Sequence, residues 1–311
     1  MKSIAGKIKG AFETNLAFRE VVAERSDLNV LRETDIPALQ QVLLGMMDDI
    51  HAVCEKHGLT YVIAGGSALG AYRHGGFVPW DGDMDVAMPR ADYDRFLDLF
   101  EGETAGRYYV QAVEKGRGFS VFGAKIRKRG TVYTELFESE PGVTGVFIDV
   151  YPIEDCFDSP LRDRLHGIRC ELLMLVCSCV KMKTNSRQLL PYLTNKKLIN
   201  AVRRKARLGS LFSLVVPLKT WLRLTERALA KKDNPGSTYI TIPSGVKHYF
   251  GETFTRASFF PAQKVPFADR TYWAMADPAE YLAKEYGAGF MDPPPPEKRQ
   301  EHHAVLEFRL Q

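Results

Sequence analysis

The chain has 311 residues, 45% hydrophobic and 26% charged, with 25 glycines and 17 prolines. That is more than one domain of ~150 residues and too short for three, and the composition excludes collagen-like, low-complexity and wholly disordered classes. Net charge is only +4, yet residues 159–233 hold 17 Lys and Arg against 4 Asp and Glu, leaving 25 against 34 elsewhere. A basic block in an otherwise acidic chain reads as a patch for something anionic.

The longest apolar runs, 172–180 and 208–218, fall short of the ~20 residues of a membrane span. The start, MKSIAGKIKGAFETN, has lysines but no apolar core of a signal peptide, so the expectation is a cytoplasmic protein. Five cysteines, three of them in one apolar stretch (Cys170, Cys177, Cys179), predict reduced thiols, not a disulfide framework.

Residues 1–33 show a weak pattern and are read as a helix or arm packed on the body. Over 35–57, apolar residues recur at helical spacing (Leu39, Val42, Leu43, Met46, Met47, Ile50, Val53, Cys54) and Gly58 follows as a stop. Residues 59–64 form a short apolar strand. Gly65-Gly66-Ser67 breaks it, and helical character resumes to 72. A Gly-rich loop over 73–81 leads to a strand at 83–88 and an amphipathic helix at 90–100. Further strands are expected at 108–113, 121–128, 132–137 and 145–151, the last closed by Pro152. The basic segment 160–232 has helical pattern, with breaks near Pro191 and Pro217. Beyond Asn234-Pro235-Gly236 come strand-like pieces at 239–242 and Phe267, a helix at 278–286 and a polyproline-type tail from Pro293. The expected organisation is an α+β catalytic unit over 1–158, a basic helical insertion over 159–233, and a segment over 234–311 that packs back on the first unit.

The sharpest chemical feature is Trp80-Asp81-Gly82-Asp83-Met84-Asp85. On an extended backbone, carboxylates at i, i+2 and i+4 would share one face, an arrangement that repels itself without a cation. Mg²⁺ or Mn²⁺ suits such oxygen ligands, and Mg²⁺ takes one or two carboxylates together with substrate phosphates. A solvated acidic turn is the bland alternative. Upstream, Gly65-Gly66-Ser67 sits where strand meets helix, a place that attracts phosphate, although Gly-Gly-Ser also makes ordinary tight turns. Downstream, Asp149 interrupts the apolar run Val146, Phe147, Ile148, Val150 and must be paired, hydrogen-bonded or on a metal. Together these describe a phosphate cradle beside carboxylates suited to metal-assisted attack on a phosphoryl or nucleotidyl group.

The longer string IAGGSALGAYRHGGFVPWDGDMDVAM (63–88) resembles the signature of the LicD family, roughly G-[ST]-x-L-G-x-x-R-x-x-G-[FI]-[IV]-P-W-D-D-D-[IM]-D. GVFIDVYPIED (145–155) is similar to that family's apolar-Asp-apolar-aromatic-Pro strand. YLAKEYGAGFMDPPPPEKRQEHH (281–303) is similar to its Tyr-Leu, Tyr-Gly, Pro-Pro, Arg and His ending. One departure is Gly82, where the family has the middle Asp of its acidic run. The resemblance implies a nucleotidyltransferase-like, polymerase-β-like core. It also implies transfer of an alcohol phosphate, such as phosphocholine or ribitol phosphate, from a CDP-linked donor to a hydroxyl of a cell-surface glycan, with release of CMP. It places the metal ligands at Asp83 and Asp85. Asp149 would be a further ligand or the base for the acceptor hydroxyl, and Asp81 would orient a ligand or cap the loop. Positive charge for the diphosphate has candidates in Arg73, in Lys125 and Arg127 on one strand face, and in Arg299 and His302 of the C-terminal block. A solvated sheet face is the alternative for Lys125 and Arg127. His74 reads as a loop histidine.

The basic block has three readings: a groove for the acceptor, a face lying on anionic membrane with 211–222 as its apolar side, or a nucleic-acid site. The last ranks lowest, since no aromatic-basic interleaving accompanies the charge. Competing functions are a nucleotidyltransferase that uses an NTP and releases pyrophosphate, a DxD glycosyltransferase, and a non-catalytic nucleotide-binding scaffold.

Overall fold

The computed structural model describes residues 31–116, 122–135, 142–230, 236–295, 299 and 305–311. Of the segment 1–33 read as a helix or arm, residues 1–30 lie outside them, as does the far end of the strand expected at 132–137. Helix α1 (Ile36–His57) follows its apolar spacing, burying Leu39, Leu43, Met46, Met47 and Ile50. Gly58 ends it in left-handed conformation, φ +61°, with its amide on the carbonyls of the last turn. Strand β1 (Val62–Ala64) runs directly into α2 (Gly65–His74). There follow β2 (Asp85–Pro89), α3 (Arg90–Glu103), β3 (Tyr108–Ala112), β4 (Ala124–Lys128), β5 (Val132–Glu135) and β6 (Phe147–Asp155).

Two of these differ from the sequence expectation. β2 begins only at Asp85, so Asp81 and Asp83 lie in the preceding loop and the three carboxylates do not ride one extended face. β6 does not stop at Pro152. Its pairing with β4 ends at Val150, so the N–H that proline lacks is not needed on that side. β6 then continues to Asp155 and pairs with a C-terminal strand, β7 (Tyr239–Thr241), at Glu154 and Asp155.

The main sheet has the order β1-β2-β6-β4-β3, with β2 and β6 parallel and the other neighbours antiparallel; β7 and then β8 (Thr253–Thr255) extend it from the far end of β6. Alternation gives its faces opposite characters. Val86, Met88, Val110, Ile126, Ile148 and Val150 form one face, packed with α1 and with Phe96 and Phe100 of α3 in the largest apolar cluster. Asp85, Asp149, Lys125, Gln111 and Arg127 alternate onto the other.

The C-terminal part returns to this frame. Past β7, a short α7 (His248–Gly251), β8 and α8 (Arg256–Phe259) lead to a hairpin of β9 (Gln263–Phe267) and β10 (Arg270–Ala274), whose Phe267 and Tyr272 enter the α1 core. The hydroxyl of Tyr272 donates to Asp48 at 2.7 Å. α9 (Pro278–Tyr286) packs Tyr281 and Leu282 under α2 with Leu69, Phe254 and Phe259, and β11 (Val305–Arg309) pairs with β5. Pro266 masks the hairpin in the sequence, since proline within a run demotes a strand unless it lies at an edge.

The basic block forms α4 (Pro160–Leu189), α5 (Lys196–Val215) and α6 (Leu218–Leu229), interrupted at Pro191 and Pro217. α4 and α5 touch backbone to backbone, because a Cβ on Gly209 would lie 1.9 Å from the carbonyl oxygen of Cys179. The stretch 211–222 is not one apolar face: Leu211, Leu214 and Val215 are exposed, whereas Leu222 is buried with Val113 and Cys177. All five cysteines are buried thiols, none of them in a disulfide. Arg90, at the start of α3, ties block to sheet. It donates to Glu154 at 2.7 Å and lies 3.3 Å from Glu114 and 2.8 Å from Glu226 of α6. Among the described residues no helix is long and apolar enough to cross a membrane.

Candidate active site

Strand β1 delivers Gly65 and Gly66 to the first turn of α2, and the loop before β2 folds its carboxylates onto them. A Cβ on Gly65 would sit 1.9 Å from Asp85 Oδ2; one on Gly66 would sit 2.3 Å from Asp81 Oδ2 and 3.9 Å from Asp83 Oδ1. Gly65 also has φ +50°, a conformation that side chains disfavour. The glycines therefore serve first to admit carboxylates at the positive end of a helix. The amide of Gly65 donates to the Tyr281 hydroxyl at 2.8 Å. Ser67 Oγ accepts from the amide of Asp85 at 3.0 Å, which locks the start of β2 to the helix.

Strand register sets the next layer. Asp85 lies opposite Asp149 across the parallel pair, and Asp149 lies opposite Lys125 across the antiparallel one. Three ionisable residues thus stand in a row on three adjacent strands, ~4.8 Å apart at the backbone. The amide of Asp149 donates to the Met84 carbonyl at 3.1 Å, which holds the loop end against β6. Lys125 and Arg127 are both buried, so the solvated-face alternative does not hold. Lys125 Nζ is 2.7 Å from Glu135 Oε2 and 3.5 Å from the centre of the Phe147 ring. Arg127 donates to Gln111 Oε1 at 2.6 Å and to the Gly145 carbonyl at 3.1 Å. Those contacts give Arg127 a part in knitting β3, β4 and the approach to β6 together.

Three tyrosines to which the sequence reading gives no role lie near the carboxylate loop: Tyr281 is buried, Tyr151 half-buried and Tyr286 exposed. Burial, then Asp149, Asp85 and Asp83, push the Tyr151 phenol well above its ordinary range. Tyr286 is raised by burial, then by Asp85, Asp81 and Asp83. Tyr281 is raised by burial, then by Tyr286 and Glu252. For Tyr151 a signal existed: it lies two residues beyond Asp149 and so shares its strand face. Tyr281 and Tyr286 reach the site only through the return of the C-terminal segment.

A cationic edge adjoins Asp81. Arg73, in the last turn of α2, donates to the Phe290 carbonyl at 2.9 Å and to the His74 ring at 3.0 Å. Burial lowers its pKa, as does Arg299, while Tyr286 and Asp81 oppose the shift. Arg299 lies over the Trp80 ring, 5.4 Å from its centre, and donates to the Pro294 carbonyl at 2.7 Å. Burial, Arg73 and Arg299 all lower the His74 pKa, which favours its neutral ring. His302 lies outside the described residues. Among the described residues no group of three or more His, Cys, Asp or Glu is placed to close round a metal ion. A Mg²⁺ held by two carboxylates and substrate phosphates needs no such group, and a pair of carboxylates from the acidic loop beside the first turn of α2 suits that donor set.

Residues 58–158 match the family model described as LicD/FKTN/FKRP, nucleotidyltransferase domain. That span contains the glycine turn, the acidic loop and Asp149. The chain is 26% identical over 276 residues to the lipopolysaccharide cholinephosphotransferase LicD of Haemophilus influenzae, covering 87% of this chain and 97% of that protein. It is 32% identical over 107 residues to human ribitol 5-phosphate transferase FKRP, which is 34% of this chain and 20% of that one. An uncharacterized Rickettsia prowazekii protein, RP689, is 28% identical over 119 residues, 36% of this chain and 45% of its own. Residues 58–158 thus resemble a LicD/FKTN/FKRP nucleotidyltransferase domain, within a longer chain similar along most of its length to a LicD protein.

Proposed function

We propose that this chain is a Mg²⁺-dependent phosphotransferase that moves an alcohol phosphate, phosphocholine or a polyol phosphate, from a CDP-linked donor to a hydroxyl of a cell-surface glycan and releases CMP. The observation that carries the reading is the packing of the Asp85 and Asp81 carboxylates against Gly65 and Gly66, inside the segment that matches the family. Similarity to a cholinephosphotransferase over most of both chains, and to a ribitol 5-phosphate transferase over the core, supports the reaction class. The fold assignment that goes with this reading is a polymerase-β-like core, with residues 159–233 as an insertion that faces the acceptor.

In this reading Asp83 and Asp85 hold the metal, with Asp149 beside them as a further ligand or as the base for the acceptor hydroxyl. Bound Mg²⁺ would offset the charge of the donor diphosphate and polarise the phosphorus. The first turn of α2 presents the Gly66 and Ser67 amides, which have no acceptor within the helix, toward phosphate. Arg73 and Arg299 stand on the Asp81 side, where negative charge grows on the departing CMP. Lys125, opposite Asp149 in register, sets the charge balance of that carboxylate. Tyr281 fixes the Gly65 turn, and Tyr151 and Tyr286 stand near the carboxylates.

The test is a binding and turnover panel of CDP-choline, CDP-ribitol, CDP-glycerol, CTP, ATP and a UDP-sugar with Mg²⁺ or Mn²⁺. A donor at 100 times its dissociation constant adds about 2.7 kcal/mol of stability, a shift of several degrees in melting temperature. A metal-dependent shift with one CDP-alcohol, followed by CMP release, supports the reading. A shift and pyrophosphate release with CTP or ATP alone would replace it with NTP-dependent nucleotidyl transfer, and no shift with any nucleotide would favour a non-catalytic scaffold.

A further inference from the structure

The N-terminal half of α4 carries Leu161, Leu165, Ile168 and Leu172, each 42–68% exposed. Their spacing places them within about 60° of arc on one helix face. The same face continues to Cys179, and there it is covered by the backbone of α5 at Gly209. α5 runs back along α4 and ends at Val215, six residues or ~9 Å past Gly209, near the turn that bears Leu172. The first three turns of the stripe are therefore left bare, and α5 ends beside them with Leu214 and Val215 82% and 79% exposed.

Charge frames this apolar strip. On the helix circumference Arg164 lies on one side of it and Arg169 on the other, both exposed, in a block of 17 Lys and Arg against 4 Asp and Glu. Exposed leucines alone would suit a second copy of the chain, but a second copy would bring the same cationic block against this one. A free anionic polymer would meet the arginines and leave the leucines in water. Apolar side chains flanked by arginines match the two layers of an anionic bilayer surface, acyl chains below and phosphates at the rim.

We propose that α4 residues 161–172, with the end of α5, lie on an anionic membrane surface. The proposal does not depend on which donor or acceptor the active site takes. It is tested by co-sedimentation of the full chain with phosphatidylcholine vesicles with and without phosphatidylglycerol, at low and physiological ionic strength. The wild type should bind the anionic vesicles and lose binding as salt rises. Leu165→Gln/Ile168→Gln/Leu172→Gln, at exposed positions, should melt as wild type and bind at least roughly tenfold less. Arg164→Glu/Arg169→Glu should lose the preference for phosphatidylglycerol. A wild type that binds no vesicle, or a leucine variant that binds as wild type, would overturn the proposal. So would a concentration-dependent dimer, seen by ultracentrifugation without lipid, that the leucine substitutions dissolve; the stripe would then belong to a second copy.

Discussion

The amide of Gly65 and the hydroxyl of Tyr281 meet at 2.8 Å across 216 positions of sequence, joining the glycine turn at the carboxylates to a helix near the C-terminus. Tyr281 is buried, so its oxygen is the acceptor that water cannot replace. Tyr281→Phe leaves that amide without it and should lower stability by about 1–3 kcal/mol. Turnover should fall roughly 10- to 100-fold through loss of position, not of chemistry. Melting and steady-state kinetics on the same preparation check both; wild-type kinetics in Tyr281→Phe would remove Tyr281 from the site.

The space above Gly66 is occupied by Asp81, 2.3 Å from where a Cβ would stand. Gly66→Ala should fold, because Gly66 is not among the glycines with positive φ, yet displace that carboxylate and weaken donor binding. Removing the obstruction with Gly66→Ala/Asp81→Ala should recover stability, so the two changes should couple by about 0.5–3 kcal/mol in a double-mutant cycle. Additive effects would mean that the pair do not touch in solution.

Asp83→Asn and Asp85→Asn keep shape and remove charge. On the proposed chemistry each should reduce turnover by at least a factor on the order of 10²–10³, with melting temperature unchanged or raised as repulsion among the carboxylates is relieved. They should also abolish any metal-dependent shift in melting temperature. Retained activity in either would refute its assignment as a ligand.

Glu252 sits in a pocket closed by Gly245, whose missing Cβ makes room for its carboxyl. Burial, then Glu285, raise its pKa from 4.5 to about 8. The folded chain therefore keeps a proton that the unfolded chain releases near 4.5. The stability contributed is fully present below pH 4.5 and is lost as pH climbs toward 8. Glu252→Gln still accepts from the Lys247 amide, 2.8 Å away in the wild type, and removes the titration. Between pH 5 and 8.5 the wild type should lose roughly 1–3 kcal/mol relative to this variant. Parallel stability curves for the two proteins would show that Glu252 is already ionised at neutral pH.

Local patterns carried much of the architecture. α1 shows its apolar spacing and its glycine stop, and the helical block breaks at its two prolines. The alternation Phe147, Asp149, Tyr151 put a carboxylate on the face opposite Ile148 and Val150 before any register was known. What could not be read was which strand lies beside which. That Asp85 faces Asp149, and Asp149 faces Lys125, depends on a parallel crossover and an antiparallel neighbour brought from 64 and 24 residues apart. The acidic run misled in one respect. Gly82 and the clamp of the Asp85 amide on Ser67 delay the strand to Asp85, so the carboxylates gather round a helix end instead of lining a strand. The approach of Tyr281 to Gly65 and the β5–β11 pairing are long-range for the same reason, since nothing local in a phenol or in Val305–Arg309 names its partner.

Arg90 makes the helical block inseparable from the sheet. Its guanidinium lies in the interior among Glu154, Glu114 and Glu226, and Glu226 is one of only four acidic residues in the basic segment. Cutting out 159–233 would strip away one of those carboxyl partners and uncover the interior in which the arginine lies. Chimaeras that exchange this block for another relative's must therefore carry a carboxylate at the position of Glu226. The block is a limb sharing a nerve with the trunk: substitutions on its outer surface leave that one inward contact untouched, and a change at Glu226 does not.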